Sequence, residues 1–306
     1  MPSPIALFVY HRKDLTRQTV DALKKNRYAD QSDLFVFSDG PKNNQNAVAV
    51  FQVREYVRSI SGFRSITVVE SPVNRGLAHS IIEGTTSVLK DHETVIVLED
   101  DMVTSPYFLK HMNEALDMYK SDERVVSVHG YVYPLKQGLP QSFFLRGADC
   151  WGWATWRRGW ALFDPNGVLL LEELERRELT RDFDYNNSYP FTQMLRDQII
   201  GVNDSWAIRW QASAFLSEGL TLYPGKSYVR NIGFDSSGTH SGVTDVYEAS
   251  LQLEDVSLQR IPIGEHPEAR KYFESYFRSI RPSFLSRIKQ KLVSGISAAR
   301  TKKPRD

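Results

Sequence analysis

VIVLEDD, residues 95–101, is an uninterrupted apolar run that ends in three consecutive acids. With Thr94 it has the length and β-branched content of a strand buried on both faces. Adjacent carboxylates raise one another's pKa and cost energy unless a cation neutralises them. A hard divalent ion, Mn2+ or Mg2+, sharing its oxygen ligands with a phosphate, meets that need. A solvated acidic turn is the plainer alternative, but an apolar strand feeding three acids favours the cation.

Working outward, the first 130 residues alternate between two hydrophobic periods. Pro4–Tyr10, Leu34–Phe37, Ile66–Val69, Thr94–Leu98 and Val125–Val132 read as strands. Leu15–Lys25, Gln45–Ile60, Leu77–Lys90 and Tyr107–Tyr119 read as helices, the first capped by Asp14 and the last opened by Ser105-Pro106. Such alternation predicts an α/β fold with a mixed, mostly parallel sheet flanked by helices. In these sheets ligands sit at the carboxyl ends of the strands. Chemistry is therefore expected at Tyr10–Arg12, Ser38–Gly40, Ser71–Gly76 and Glu99–Asp101.

The composition sets outer limits. The chain has 306 residues, 41% hydrophobic and 25% charged, with 38 Lys+Arg against 37 Asp+Glu. Those proportions exclude disordered, collagen-like and disulfide-scaffold classes. A single cysteine, Cys150, excludes an internal disulfide and a thiolate metal cluster. The N-terminus lacks a basic leader, and no apolar run reaches the roughly 18 residues of a membrane span, so the expectation is a cytoplasmic protein. From Arg278 onward there are nine Lys/Arg and one acid, a net +8, which leaves −7 for residues 1–277. A mildly acidic body argues against nucleic acid as a partner, whereas the basic tail suits an anionic surface.

Two nucleotide-binding signatures are missing. The only Gly-Lys-Ser, Gly225–Ser227, has Leu220 where a P-loop needs glycine. The first strand runs into Tyr10-His11-Arg12-Lys13, without the glycines of a dinucleotide fingerprint. The same absence weighs against a sugar nucleotidyltransferase. A non-catalytic carbohydrate-binding protein is the other rival, and the intact acid cluster counts against it.

Six segments carry a resemblance: LFVYHR (7–12), FVFSDG (35–40), VIVLEDDMVTSPYFLKHMNEAL (95–116), VVSVHG (125–130), LRGADCWGW (145–153) and GTHSG (238–242). In these segments and their order the chain resembles GT-A-fold glycosyltransferases of the N-acetylglucosaminyltransferase I type and related bacterial polysaccharide transferases. The resemblance implies metal-dependent, inverting transfer of a sugar, GlcNAc being one candidate, from a nucleoside-diphosphate donor, UDP-linked, to a saccharide acceptor. It implies that Arg12 faces the donor diphosphate and Asp39 the uracil edge, with Asn74 and Arg75 touching nucleotide or phosphate. Asp101 would be the main metal ligand, Glu99 and Asp100 would contact ribose or sugar, and His240 would bind the metal or lie near the diphosphate.

Inverting transfer also needs a base to deprotonate the acceptor hydroxyl. The family's Trp-Asp-Asp-Trp segment is matched in part by Asn203-Asp204-Ser205-Trp206, which makes Asp204 the first candidate and Asp149 the second. Residues Cys150–Trp160 hold four tryptophans in eleven positions. Indole faces stack on sugar C–H faces, so Trp151 or Trp153 is expected to face the acceptor, with Trp156 and Trp160 inside.

The expected organisation is a transferase domain over 1–265, with a nucleotide-sugar half at 1–130 and an acceptor half at 131–265, then a basic tail over 266–306. In the tail, Ser283 precedes Phe284, Leu285, Ile288, Leu292, Ile296 and Ala299, spaced three or four apart and flanked by Arg287, Lys289 and Lys291. This basic amphipathic helix reads either as a membrane-surface anchor or as a helix packed on protein. A lipid-linked saccharide acceptor at the inner face of a plasma membrane, in capsule, O-antigen or exopolysaccharide synthesis, suits the first.

Overall fold

The computed structural model describes residues 1–136, 138–234 and 245–281. Its first half alternates as expected: β1 (Ile5–Val9), α1 (Lys13–Lys24), β2 (Asp33–Ser38), α2 (Asn44–Arg58), β3 (Ser65–Glu70), α3 (Leu77–Asp91) and β4 (Thr94–Glu99). Then come β5 (Met102–Thr104), α4 (Phe108–Met118), β6 (Val125–His129), β7 (Ser142–Arg146), β8 (Trp153–Trp156) and α5 (Arg157–Trp160). The second lobe adds α6 (Gly167–Arg176), α7 (Thr180–Phe183), α8 (Phe191–Ile199), α9 (Trp206–Leu216), β9 (Leu220–Pro224), β10 (Val229–Asn231) and α10 (Pro267–Ser279). Asp14 lies inside the first turn of α1, not at its cap, where its charge complements the positive end of the helix.

Eight strands form one sheet in the order β3-β2-β1-β4-β8-β6-β9-β7. β3, β2, β1 and β4 are mutually parallel, β6 and β9 share that direction, and β8 and β7 oppose it. The result is a mixed, mostly parallel α/β sheet flanked by helices. Successive side chains of a strand point to opposite faces, and the core divides accordingly. Ile5, Leu7, Val9, Ile96 and Leu98 pack with α1, α2 and α4 through Val20, Leu23, Val53, Phe108 and Met112. Ala6, Phe8, Val95 and Val97 pack on the opposite face with Ile81 and Val88 of α3, Trp160, and Trp206 and Trp210 of α9. Both faces are covered at the centre of the sheet, so β1 and β4 read as continuous apolar runs rather than alternating ones, whereas the edge strand β3 stays partly exposed.

The expected break at residue 266 is replaced by α10, which is part of the core. His266 caps it, accepting from the Ala269 amide at 3.2 Å. Phe273 and Phe277 are buried against Val132, Phe143, Leu145, Tyr185 and Tyr223. Burying each of these rings contributes about 2 kcal/mol, enough to hold a helix whose other face is charged. The amphipathic segment from Ser283 lies outside the described residues. Among the described residues no helix is long and apolar enough to cross a membrane.

Candidate functional site

The chain leaves β1 toward β2 and β3 on one side, then returns to place β4 on the other side of β1. The carboxyl ends of β1 and β4 therefore flank the point where strand order reverses. At such a switch point the two outgoing loops diverge and open a crevice, the place where open α/β sheets bind ligands. Register pairs Phe8 with Glu99, so Arg12 after β1 and Glu99-Asp100-Asp101 after β4 meet in that crevice.

They meet in direct contact. Arg12 Nη2 donates to Asp100 Oδ1 and, at 2.8 Å, to Asp101 Oδ2. Asp100 and Asp101 are 3% and 8% exposed. Burial works against the Arg12 charge, but the two aspartates more than offset it and hold the guanidinium firmly protonated. Burial, then the charges of Asp101 and Asp100, pushes Glu99 up to about 8. Asp100 is pushed up to about 6, chiefly by burial, with Arg12 opposing the shift. One arginine thus offsets only part of the negative charge that the cluster carries when ionised.

Asp100 Oδ2 and Asp101 Oδ1 are buried with no hydrogen-bond partner among the described residues. An unpaired buried acceptor costs roughly 1–3 kcal/mol, and acceptor-only oxygens of this kind suit a hard cation. No group of three His, Cys, Asp or Glu side chains gathers in ligating geometry among the described residues. Among the described residues the two aspartates are the oxygens free to meet an ion, and an ion held by one or two carboxylates takes further oxygens from phosphate and water. His240 lies outside the described residues.

The antiparallel ribbon of β5 and β10 walls the crevice. Asn231 is paired with Met102, and the Ile232 amide donates to the Asp101 carbonyl at 2.9 Å. The next residue, Gly233, approaches so closely that a Cβ there would stand 2.2 Å from Asp101 Oδ2. From below, Thr19 Oγ1 of α1 donates to the Asp100 carbonyl at 2.8 Å.

Asp39, after β2, has another task than the expected one. Its Oδ1 accepts from the amides of Gly40 and Arg75, each at 2.8 Å, and its Oδ2 from Asn74 Nδ2 at 2.8 Å and the Gly76 amide at 2.9 Å. A carboxylate offers about four lone-pair positions, and all are taken. Asp39 therefore builds the 74–76 loop rather than reading a uracil edge, and Asn74 is its partner in that work. The Arg75 guanidinium turns along α3 to Glu83 and His79. Arg54 of α2, which the sequence did not single out, ties the carbonyls of Ser38, Asp39 and Ser71, bridging the ends of β2 and β3.

β8 runs against β4 with Trp153 opposite Val97, so the loop entering β8 reaches the same rim. Asp149 stands in that loop. Its Oδ1 accepts from the Cys150 amide at 2.8 Å, and Tyr133 Oη lies 3.4 Å from its Oδ2. Burial, then the charges of Asp149 and Glu99, raises the Cys150 thiol well above its usual range, and Asp101 adds to this. Trp151, half-buried, meets Tyr131, Phe234 and Tyr247 edge-on at 4.7, 5.5 and 5.5 Å.

Two further candidates stand in different surroundings. Trp153 is fully buried, packed among Trp160, Trp206 and Trp210, so it has no face left for an acceptor. Trp156 and Trp160 are also buried. Asp204 precedes the Ser205 cap of α9 with its side chain 72% exposed and lies 3.3 Å from Arg209. No hydrogen bond among the described residues brings it to the acid cluster.

No protein-family model matches the chain, and no curated protein matches it. Solved structures do. The mannosyltransferase PcManGT from Pyrobaculum calidifontis, in complex with GDP-Man and Mn2+, is 19% identical over 44% of this chain and 38% of its own, with a TM-score of 0.30. S. aureus TarS is 18% identical over 47% of this chain and 24% of its own, TM-score 0.31. Its 1–349 fragment is 15% identical over 52% of this chain and 48% of its own, TM-score 0.34. The chain spans less than half the length of each of these chains.

Proposed function

We propose that this chain is a GT-A-type glycosyltransferase that moves a sugar from a nucleoside diphosphate, UDP-linked, to a saccharide acceptor with inversion. The observation that carries the reading is the pair of unpartnered, buried oxygens of Asp100 and Asp101 at the switch point, beside Arg12. Those two aspartates would hold Mn2+ or Mg2+, and Gly233 of the ribbon lies directly against Asp101. When bound, the ion supplies charge stabilisation of a leaving diphosphate.

The remaining work falls to the chain's own groups. Arg12, already held protonated, offers a second positive centre to the diphosphate. The 74–76 loop, fixed by Asp39, forms the nucleotide side of the crevice. Asp149 is the better candidate base: it stands in the loop entering β8, which reaches the rim of β4, whereas Asp204 is exposed and paired with Arg209. Asp149 would take the proton from the acceptor hydroxyl, with Trp151 offering the half-buried aromatic edge beside it. A lipid-linked saccharide in bacterial surface-glycan synthesis, met at a membrane surface through the basic segment beyond Arg281, belongs to the same proposal.

The test is a thermal-shift screen of nucleotide-sugars with and without Mn2+. One UDP-sugar is expected to stabilise the protein only with the metal, and Asp101→Ala to abolish that gain. Stabilisation that ignores the metal overturns the reading.

A further inference from the structure

His129 ends β6 at the same rim, facing Trp153 in register, and is completely buried. Its Nε2 lies 3.0 Å from the Trp151 amide nitrogen and accepts that N–H. The same Nε2 is 3.9 Å from Asp149 Oδ1. Only a neutral imidazole protonated on Nδ1 can accept there, and burial lowers the pKa of His129, which keeps it neutral. The ring is wedged edge-on between Tyr131 and Tyr223. The next residue repeats the join, since the Gly130 amide donates to the Gly152 carbonyl at 2.7 Å. The 149–152 loop is therefore pinned at two successive points of β6, and one pin is a side-chain acceptor.

From this geometry we infer that His129 is a positioning residue: its Nε2 lone pair fixes the loop that carries Asp149 and Trp151. A backbone amide bonded to a side chain leaves that loop a single register. With the acceptor removed, the Trp151 N–H is buried unpaired and the loop gains a reason to open. The catalytic consequence rests on the reading of Asp149 as base given above; the structural one does not.

Cys150 is the chain's only cysteine and lies between the two residues being positioned, so it reports on the loop directly. The experiment compares His129→Gln, whose Oε1 stands near the Nε2 position, with His129→Leu, of similar size but without an acceptor. The readout is the rate at which DTNB labels Cys150 in the folded protein. Labelling is expected to rise about tenfold in the leucine variant, the factor that loss of one buried hydrogen bond allows, and to stay near the parent rate in the glutamine variant. Equal rates in all three proteins overturn the inference.

Should the leucine variant not fold, 15N-histidine NMR of the unmodified chain decides. The Nδ1–H tautomer is expected, and an Nε2–H tautomer overturns the role. In turnover assays with the UDP-sugar found by the screen, the leucine variant should lower kcat while leaving donor affinity unchanged, with rescue by glutamine. If labelling responds as expected but Asp149→Asn retains full turnover, the base assignment fails and the positioning of the loop stands.

Discussion

Gly233 lies against Asp101 with no room for a methyl group between them: a Cβ at 233 would stand 2.2 Å from Asp101 Oδ2 and 3.2 Å from Arg12 Nη1. The position thus sets where the carboxylate and guanidinium can be. Gly233→Ala should push both aside while touching little of the core. We expect metal-dependent binding of the nucleotide-sugar to weaken about tenfold, as an overpacked contact costing roughly 1–3 kcal/mol would produce. The melting temperature without ligand should change little. Titration calorimetry showing parent-like affinity would contradict this account of the crevice.

Arg12 is the counter-charge of two buried aspartates, and its removal leaves them uncompensated. Arg12→Met should cost roughly 3–5 kcal/mol of stability in metal-free protein. Added Mn2+ should restore more of the melting temperature in the variant than it adds to the parent. An equal response of both proteins to Mn2+ would separate Arg12 from the cation site.

Asp39 holds the 74–76 loop with three accepted hydrogen bonds, and a fourth comes from the Gly40 amide. Asp39→Asn replaces one acceptor oxygen by an amide that meets donors, leaving N–H groups unpaired at about 1–3 kcal/mol. The expected result is a lower melting temperature together with faster hydrogen exchange of the Arg75 and Gly76 amides. If exchange there is unchanged, the loop is held by something else.

Among the candidate bases, Asp149→Asn should reduce turnover about 10²–10⁴-fold, the range for a lost general base. Asp204→Asn should stay within about threefold, because an exposed ion pair is worth little. The reverse order in single-turnover rates would return the role to the 203–206 segment.

Acid should destabilise the fold through His111. It is buried in α4 and stacked on Tyr228 at 4.4 Å, and burial, with Lys110 adding, lowers it to about 4. Because the folded pKa is depressed, the unfolded chain binds the proton first as pH falls. The stability this provides is fully present above about pH 6.5 and is lost toward pH 4. Between pH 7 and pH 5 the loss is about 2 kcal/mol. Urea unfolding at both pH values should show a smaller drop in His111→Phe, and an identical drop would assign the acid sensitivity to other groups.

The strands β1 and β4 were legible because each is buried on both faces, and β2 and β3, nearer the sheet edge, because their apolar runs stand between turn residues. In each case one chain segment carries the whole signal. The acid cluster was legible for the same reason. What was hidden depends on contacts far apart in sequence. Asp39 gives up its lone pairs to residues 74–76, and Trp153 lies in a four-residue strand whose pairing with β4 no local period reveals. Arg54 and Gly233 matter only through what lies beside them. α10 was read with the tail because the basic run that begins at Arg278 overlaps its end, although Phe273 and Phe277, four apart after His266-Pro267, already mark a packed face.

The reversed course of β8 has an evolutionary corollary. Because this strand runs upstream against β4, the rim is served by the exits of one half of the polypeptide and by an entrance in the other. On the proposed reading, swapping the stretch from 131 to 152 between relatives is expected to change acceptor preference while donor binding is kept.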